Sequence, residues 1–407
     1  MSGPLDGIAV VEIGAWVAGP AAGGILADWG AEVIKVEPPS GDPARTFRQI
    51  LGGDLPSNPV FELDNRSKSS IVVDSRADGG LALIEELIAG ADVFLTNLRP
   101  AALKRWGLDH ETLCERHPSL VYALLTGYGL DGPDADKPAY DIAAYWARSG
   151  IAAALRPPGG ALPFQRGGMG DHTVAMTAAA MVSAALVSRE RTGKGQFVST
   201  SLLRQGAYTV GFDVNVALMW GLPVSIGKRE TMRSPVLNNY QAGDGRWFWI
   251  VGLEGERHWP PLARAVGHPE WISDPRYATP AERAKNCPDL IVELDQIFAT
   301  KSLDEWAEIF ATEPDFFWSP VNTINDLVAD EQFAASGGLT EVPGPDGNTT
   351  MLATPVDFHG TPWQARAHAP RLGEHTEHVL RRLGRTDDQI AQLVSDGVVR
   401  LLASEEE

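Results

Sequence analysis

Short apolar runs alternate along the chain with stretches where small and apolar residues recur at helical spacing. Residues 7–13 (GIAVVEI) form an apolar run suited to a strand covered on both faces. Residues 20–29 predict a helix of small side chains, and residues 33–37 (VIKVE) the next strand. The pattern repeats through a strand at 70–74 (SIVVD), a helix at 81–89, a strand at 92–97 (DVFLTN), a helix near 101–106 and a strand at 120–127 (LVYALLTG). Strands and helices alternating at this spacing predict an α/β protein with a doubly wound parallel sheet. The character changes over residues 207–326, where Trp220, Tyr240, Trp247, Phe248, Trp249, Trp259, Phe316, Phe317 and Trp318 crowd together. This predicts a second, smaller α+β domain with an aromatic core and a hairpin around residues 241–249 (QAGDGRWFW). A turn at 343–348, a surface helix over 387–393 and a solvated acidic end at 405–407 complete the chain. The expected division is therefore 1–206, 207–326 and a returning segment 327–407.

Sheets of this kind bind ligands beyond the carboxyl ends of their strands. The loops expected there carry Arg45, Arg48, Arg99, Arg105 and Lys137, a locally basic edge suited to phosphates, although each cation taken singly is as readily a solvated loop residue. The first loop, Gly14-Ala15-Trp16-Val17-Ala18-Gly19-Pro20, does not give the GxGxxG pattern of a dinucleotide site. Nicotinamide and flavin cofactors are set aside on that ground.

Composition narrows the classes further. The 407 residues carry a formal net charge of -19, which opposes nonspecific binding to nucleic acid or to an anionic membrane. It does not oppose a small anion met by locally placed cations. Without an N-terminal apolar leader or an apolar run long enough to span a bilayer, the chain reads as a cytoplasmic protein. Two cysteines, Cys114 and Cys287, and nine scattered histidines give neither a disulfide framework nor metal-ligand spacing, so no metal is expected.

The most informative stretch begins at Arg166. A glycine cluster, Gly167, Gly168 and Gly170, leads to Asp171 and then to the alanine-rich run HTVAMTAAAMVSAALVSRE. Local sequence favours Asp171 as the cap of that helix. The alternative is a nucleophile or acid–base group at a site the glycines leave open, because residues without Cβ let a ligand approach the backbone.

The wider stretch weighs on that choice. Arg166-Gly167-Gly168, Asp171, and Arg191-Thr192-Gly193-Lys194-Gly195-Gln196 followed by Val198 and Ser201 resemble the signature region of the family III CoA-transferases, which include the α-methylacyl-CoA racemases. The likeness extends to EIGAWVAGPAAGGILADWGAEVIKVEPPSGDPAR, NRSKSSIVVD, ADVFLTNLRPAALKRWGLD, LLTGYGLDGP and LGEHT, in that order. It implies a large Rossmann-like domain, built from the N-terminal part and the C-terminal tail, with a small domain inserted and two chains interlinked as rings.

The resemblance also implies that Asp171 carries the acyl group covalently. It further implies that Val17, Ala18, Asn97, Leu98, Arg105 and Lys137 contact CoA, which serves as substrate and not as a tightly bound cofactor. Pro38 stands where a cation often follows the second strand, so Arg45 or Arg99 is the candidate to take over a phosphate. Trp16, between Ala15 and Val17, makes the first loop apolar and bulky and argues against small dicarboxylates. Tyr140 stands where the racemases carry histidine, and a phenol, with a reference pKa of about 10, is a poor proton acceptor near neutrality. Transfer of CoA between an acyl-CoA and a carboxylic acid is therefore the favoured reading, with racemisation or another acyl-CoA isomerisation as the alternative. Glu254 matches a glutamate that supports the racemase histidine, but also reads as a strand-end carboxylate. Gly168 and Glu254 join Trp16 and Tyr140 as candidate pocket residues. The span 225–239 holds only Gly227 where relatives often carry a glycine-rich lid, which leaves Tyr240 or Glu254 as candidates to face the acyl group.

Overall fold

The computed structural model describes residues 3–47, 57–223, 226–345 and 347–402. Arg48, Ser225, Asp346 and residues 405–407, which figure in the reading above, lie outside them. The chain divides into two compact units. The larger comprises the described residues of Met1–Ala153, Phe164–Pro223 and Gln332–Glu407, and the smaller those of Ala154–Pro163 and Val224–Glu331. The helices Leu202–Thr209 and Gly211–Trp220, placed by aromatic density at the start of the small domain, thus belong to the larger unit.

In the larger unit the predicted strands form β1 (Ala9–Ile13), β2 (Glu32–Glu37), β3 (Ser69–Val73), β4 (Val93–Thr96) and β5 (Val121–Thr126), joined by β6 (Phe197–Ser201). Their order across the sheet is 3-2-1-4-5-6, all parallel, and Val399–Arg400 adds an antiparallel strand beside β3. Alternate side chains enter opposite cores. Val10, Val93, Leu95, Val121 and Ala123 pack on one face with the helix Ala18–Asp28 and the long helix Met169–Thr192. Val11, Phe94, Tyr122 and Leu124 pack on the other with Ile84, Leu87 and the C-terminal Val379 and Leu380. That two-sided burial is why the strands read as unbroken apolar runs and not as alternating ones.

The long helix runs for 24 residues with a mean hydropathy of 1.2 over its most apolar window, enough by length and composition to cross a membrane. The expectation that no run is long enough is corrected on that count. Its alanines serve packing instead: Val174, Ala175, Ala178, Ala179 and Val182 are fully buried in the core, where small side chains let the helix approach its neighbours closely.

The smaller unit holds an antiparallel sheet of Leu237–Gln241, Trp247–Val251 and Trp318–Pro320, so the predicted hairpin is present. Phe248, Trp259, Phe298, Trp306 and Phe310 form its core. Tyr240 is fully buried among them and donates its hydroxyl to Pro235 O at 2.8 Å. This corrects its candidacy as a residue facing substrate, because its polar atom is already satisfied inside the core.

Candidate active site

The strand order reverses between β1 and β4, which opens a crevice beyond their carboxyl ends. Asn97, at the end of β4, closes the first loop across that point: its Oδ1 accepts from Ala15 N at 3.0 Å and its Nδ2 donates to Ala15 O at 2.8 Å. Beneath the loop runs a buried charge network. Glu12 on β1 meets Lys35 on β2 at 2.9 Å and Lys68 at 2.7 Å, and Lys35 reaches Asp42 at 2.8 Å. Burial opposes the Lys35 ammonium, but Glu12, Asp42 and Glu37 together hold its pKa above the ordinary value. Burial pushes Lys68 down to about 8 against the pull of Glu12.

This network positions an unusual residue. Trp16 lies in the left-handed region with φ 68, a conformation that costs a bulky residue energy and persists only where the surroundings enforce it. Its N–H is fixed by Asp42 Oδ1 at 2.9 Å. Its ring stands edge-on to Tyr140, with centroids 5.7 Å apart and planes at 89°, and lies 5.5 Å from Phe47. Tyr140 is well exposed, so the three rings form an open apolar wall.

The residue after Tyr140 leads to the carboxylates. Asp141 is buried, and Gln165 Nε2 donates to its Oδ2 at 3.1 Å. Asp171 sits in the first turn of the long helix but does not cap it: the cap is Gly168, at φ 79, without a side-chain bond. Gly170 is required because any side chain there would overlap the Tyr145 ring. Half-buried, the Asp171 carboxylate has no hydrogen-bond partner among the described residues. Burial and then the charge of Asp141 push its pKa up to about 7, with His172 opposing and Asp64 adding to the rise. A carboxylate in this setting is poorly solvated and uncommitted, the condition in which it can act as nucleophile or exchange a proton near neutrality.

Val17 and Ala18 are buried at the start of the helix Ala18–Asp28, and Leu98 is half-buried and donates its N–H to Thr96 Oγ1. Arg99 and Arg105 are exposed at the two ends of the helix Pro100–Trp106, and Lys137 is exposed 3.9 Å from Asp134. Arg45 differs. Its guanidinium bonds Glu37 through Nε and Nη2 at 2.8 and 2.6 Å, bonds Pro370 O at 3.0 Å, and covers the Phe61 ring at 4.2 Å. A phosphate would have to compete with that set to reach Arg45. Glu254 belongs to the smaller unit, where its exposed carboxylate lies 3.5 Å from Arg257.

Spacing alone did not bring Asp64, Asp141, Gln165 and Phe47 to this region. The tetrapeptide PAYD ahead of a small-residue run marks Asp141 only weakly in the sequence, and Asp64 carries no local signal.

The larger unit thus joins a doubly wound parallel sheet to a helix-start carboxylate that bonds no described group, with Arg99, Arg105 and Lys137 exposed. Residues 5–376 match the family described as CoA-transferase family III, and the chain belongs to that family of enzymes. The (R)-2-hydroxy-4-methylpentanoate CoA-transferase of Clostridioides difficile is 32% identical over 404 residues, spanning 97% of this chain and 99% of the relative. The cinnamoyl-CoA:phenyllactate CoA-transferase of Clostridium sporogenes is 34% identical over 398 residues, spanning 96% of each. A succinate–glutarate CoA-transferase of Agrobacterium fabrum is 33% identical over 392 residues, spanning 93% of this chain and 96% of the relative. Among solved structures, a CAIB/BAIF family protein from Brucella suis superposes with a TM-score of 0.82 at 30% identity, covering 94% of this chain and all of that one.

Proposed function

We propose that the protein transfers CoA from an acyl-CoA to a carboxylic acid through a covalent intermediate on Asp171. The observation that carries this reading is the half-buried Asp171 carboxylate, raised to about 7 and bonded to no other described group. An Asp171 oxygen attacks the thioester carbonyl; the C–S bond breaks, leaving a mixed anhydride and CoA thiolate. The thiolate attacks the Asp171 carbonyl carbon, the anhydride C–O bond breaks, and the donor acid leaves as carboxylate from an aspartyl-CoA thioester. The acceptor carboxylate then attacks that thioester carbonyl and expels the thiolate. The thiolate in turn attacks the acceptor's acyl carbon, which frees Asp171 and the new acyl-CoA. Each tetrahedral oxygen is served by backbone N–H groups of the first helical turn, where the helix dipole favours negative charge. Proton count and charge balance without any metal or nucleotide.

Arg99, Arg105 and Lys137 are the residues assigned to the CoA phosphates, with Val17, Ala18, Asn97 and Leu98 shaping the bed, in a cytoplasmic homodimer. The names of the relatives span branched, aromatic and dicarboxylic acids, so the site must decide the class. Asp171, Asp141 and Asp64 outnumber the single imidazole of His172, which disfavours a second carboxylate on the substrate. Trp16, Phe47 and Tyr140 offer an apolar wall instead. The acid is accordingly a monocarboxylate with a bulky apolar or aromatic side chain.

The test is mass spectrometry of the peptide carrying Asp171 after hydroxylamine quench during turnover, with a panel of acyl-CoA donors. A hydroxamate on Asp171, formed with phenyl- or branched-chain donors and absent in Asp171→Ala, is expected. An unmodified Asp171 under conditions of full turnover would overturn the covalent route.

A further inference from the structure

One group beside Asp171 is not used by the transfer steps. His172 follows it on the long helix, and its Nε2 lies 3.0 Å from Asp64 Oδ1 on the helix Pro59–Asn65. Asp64 is 2% exposed and its other oxygen has no hydrogen-bond partner among the described residues, so the imidazole is its one hydrogen-bonded partner there. Lys68 and Lys35 stand further behind it and attract it more weakly. Gly168 leaves room for the ring, since a Cβ on it would come within 3.3 Å of His172 Cε1. The pair also lines a cavity of about 410 Å³ with Ile25, Met176 and Phe333. The other charged groups on that cavity are Asp28 and Arg66, bonded to each other at 2.6 Å, and Asp357.

We propose that His172, anchored by Asp64, is a positioning residue for the transfer reaction: its charged imidazole keeps Asp171 anionic beside two other acids. The proposal rests on the reading of Asp171 as nucleophile. The charges that act on Asp171 are Asp141 from the turn after Tyr140, Asp64 from the helix Pro59–Asn65 and His172 from its own helix; those that act on His172 are Asp64, Asp171 and Asp141. Of these four groups, the imidazole alone can carry a positive charge. Without it, Asp171 meets two like charges in a poorly solvated site and takes up a proton, and a protonated carboxyl does not attack a thioester. The hydrogen bond to Asp64 raises the imidazole above its ordinary value against the opposing effect of burial, and the Asp64 charge adds to the rise. The buried Asp64 anchor fixes the orientation of a ring that is itself 44% exposed.

The experiment compares kcat/KM against pH for the wild type, His172→Gln and His172→Lys, with acyl-CoA affinity measured alongside. His172→Gln keeps a hydrogen bond to Asp64 but no charge. It is expected to lose on the order of tenfold or more in rate on the acid side, to recover at alkaline pH where Asp171 ionises unaided, and to keep its acyl-CoA KM. His172→Lys restores much of the acid-side rate. A His172→Gln profile that superimposes on the wild type, or that falls by one factor at every pH, overturns the proposal. Should the glutamine variant not fold, ring titration of His172 by NMR in wild type and Asp64→Asn decides it: an imidazole that titrates identically in both overturns the anchoring. Hydroxylamine capture at Asp171 in the wild type tests the nucleophile alone, so a captured acyl group with an unshifted variant profile removes His172 and leaves Asp171 in place.

Discussion

Two clusters of buried charge lie within the larger unit, and they are built on opposite terms. Around Glu12, each carboxylate oxygen meets a lysine, Lys35 and Lys68, and both ammonium groups find further acceptors in Asp42, Asn65 and the Pro20 carbonyl. Around Asp171, three acids share one imidazole, and among the described residues the Asp171 oxygens meet no donor and one oxygen of Asp64 is left without a hydrogen bond. The first cluster is wholly buried; in the second Asp64 and Asp141 are buried, Asp171 is half-buried and the His172 side chain is 44% exposed. The difference is compensation: the first is closed and holds the Gly14–Pro20 loop in shape, while the second is left short of positive charge. Burying an uncompensated acid costs stability, and folds retain such a cost where the strained group does chemistry.

The contrast breaks most sharply at Glu12. Glu12→Gln takes from two buried ammonium groups the carboxylate they share, leaving Lys35 with Asp42 and Lys68 with only the neutral oxygens of Asn65 and Pro20, and is expected to cost about 3–5 kcal/mol in denaturant unfolding. Equal stability of variant and wild type would mean that the network is not closed as described.

Asp171→Asn is expected to move the other way. A carboxyl whose pKa rises from an ordinary value near 3.8 to about 7 on folding stabilises the native state least once pH has climbed through both. The amide variant therefore gains on the order of 2 kcal/mol at mildly alkaline pH, gains progressively less as pH falls through that window, and gains nothing below it. Melting temperatures on both sides of the window check this, and a variant less stable than wild type at alkaline pH would refute it.

The smallest effect belongs to Asp141. Asp141→Asn can still accept from Gln165 but no longer repels Asp171, so the acid limb of kcat/KM moves to lower pH while the alkaline plateau changes little. A limb that moves upward would show that Asp141 acts on Asp171 by something other than its charge.

Much of the larger unit was legible along the chain. Five strands and their helices follow from apolar runs because a parallel strand buried on both faces needs apolar side chains at consecutive positions, a local requirement. Asp171 at the head of a helix was equally local, since glycines before and alanines after mark that boundary. The aromatic segment was less informative. Density alone could not separate Trp220, exposed on a helix of the larger unit, from Tyr240 at the centre of the smaller core.

By itself, then, the chain determined its alternation of strands and helices, its family signature and the carboxylate that opens the long helix, because each depends on neighbours within a turn or two. The tertiary structure alone decided which charges are free. Arg45 and Arg105 look alike in sequence, yet Arg45 is closed off by Glu37 and by Pro370, a residue brought back from far along the chain. Asp64 and His172 are likewise 108 positions apart and meet only because two helices pack. Whether a charge is paired depends on which distant groups share its volume after folding, and local spacing carries no record of that.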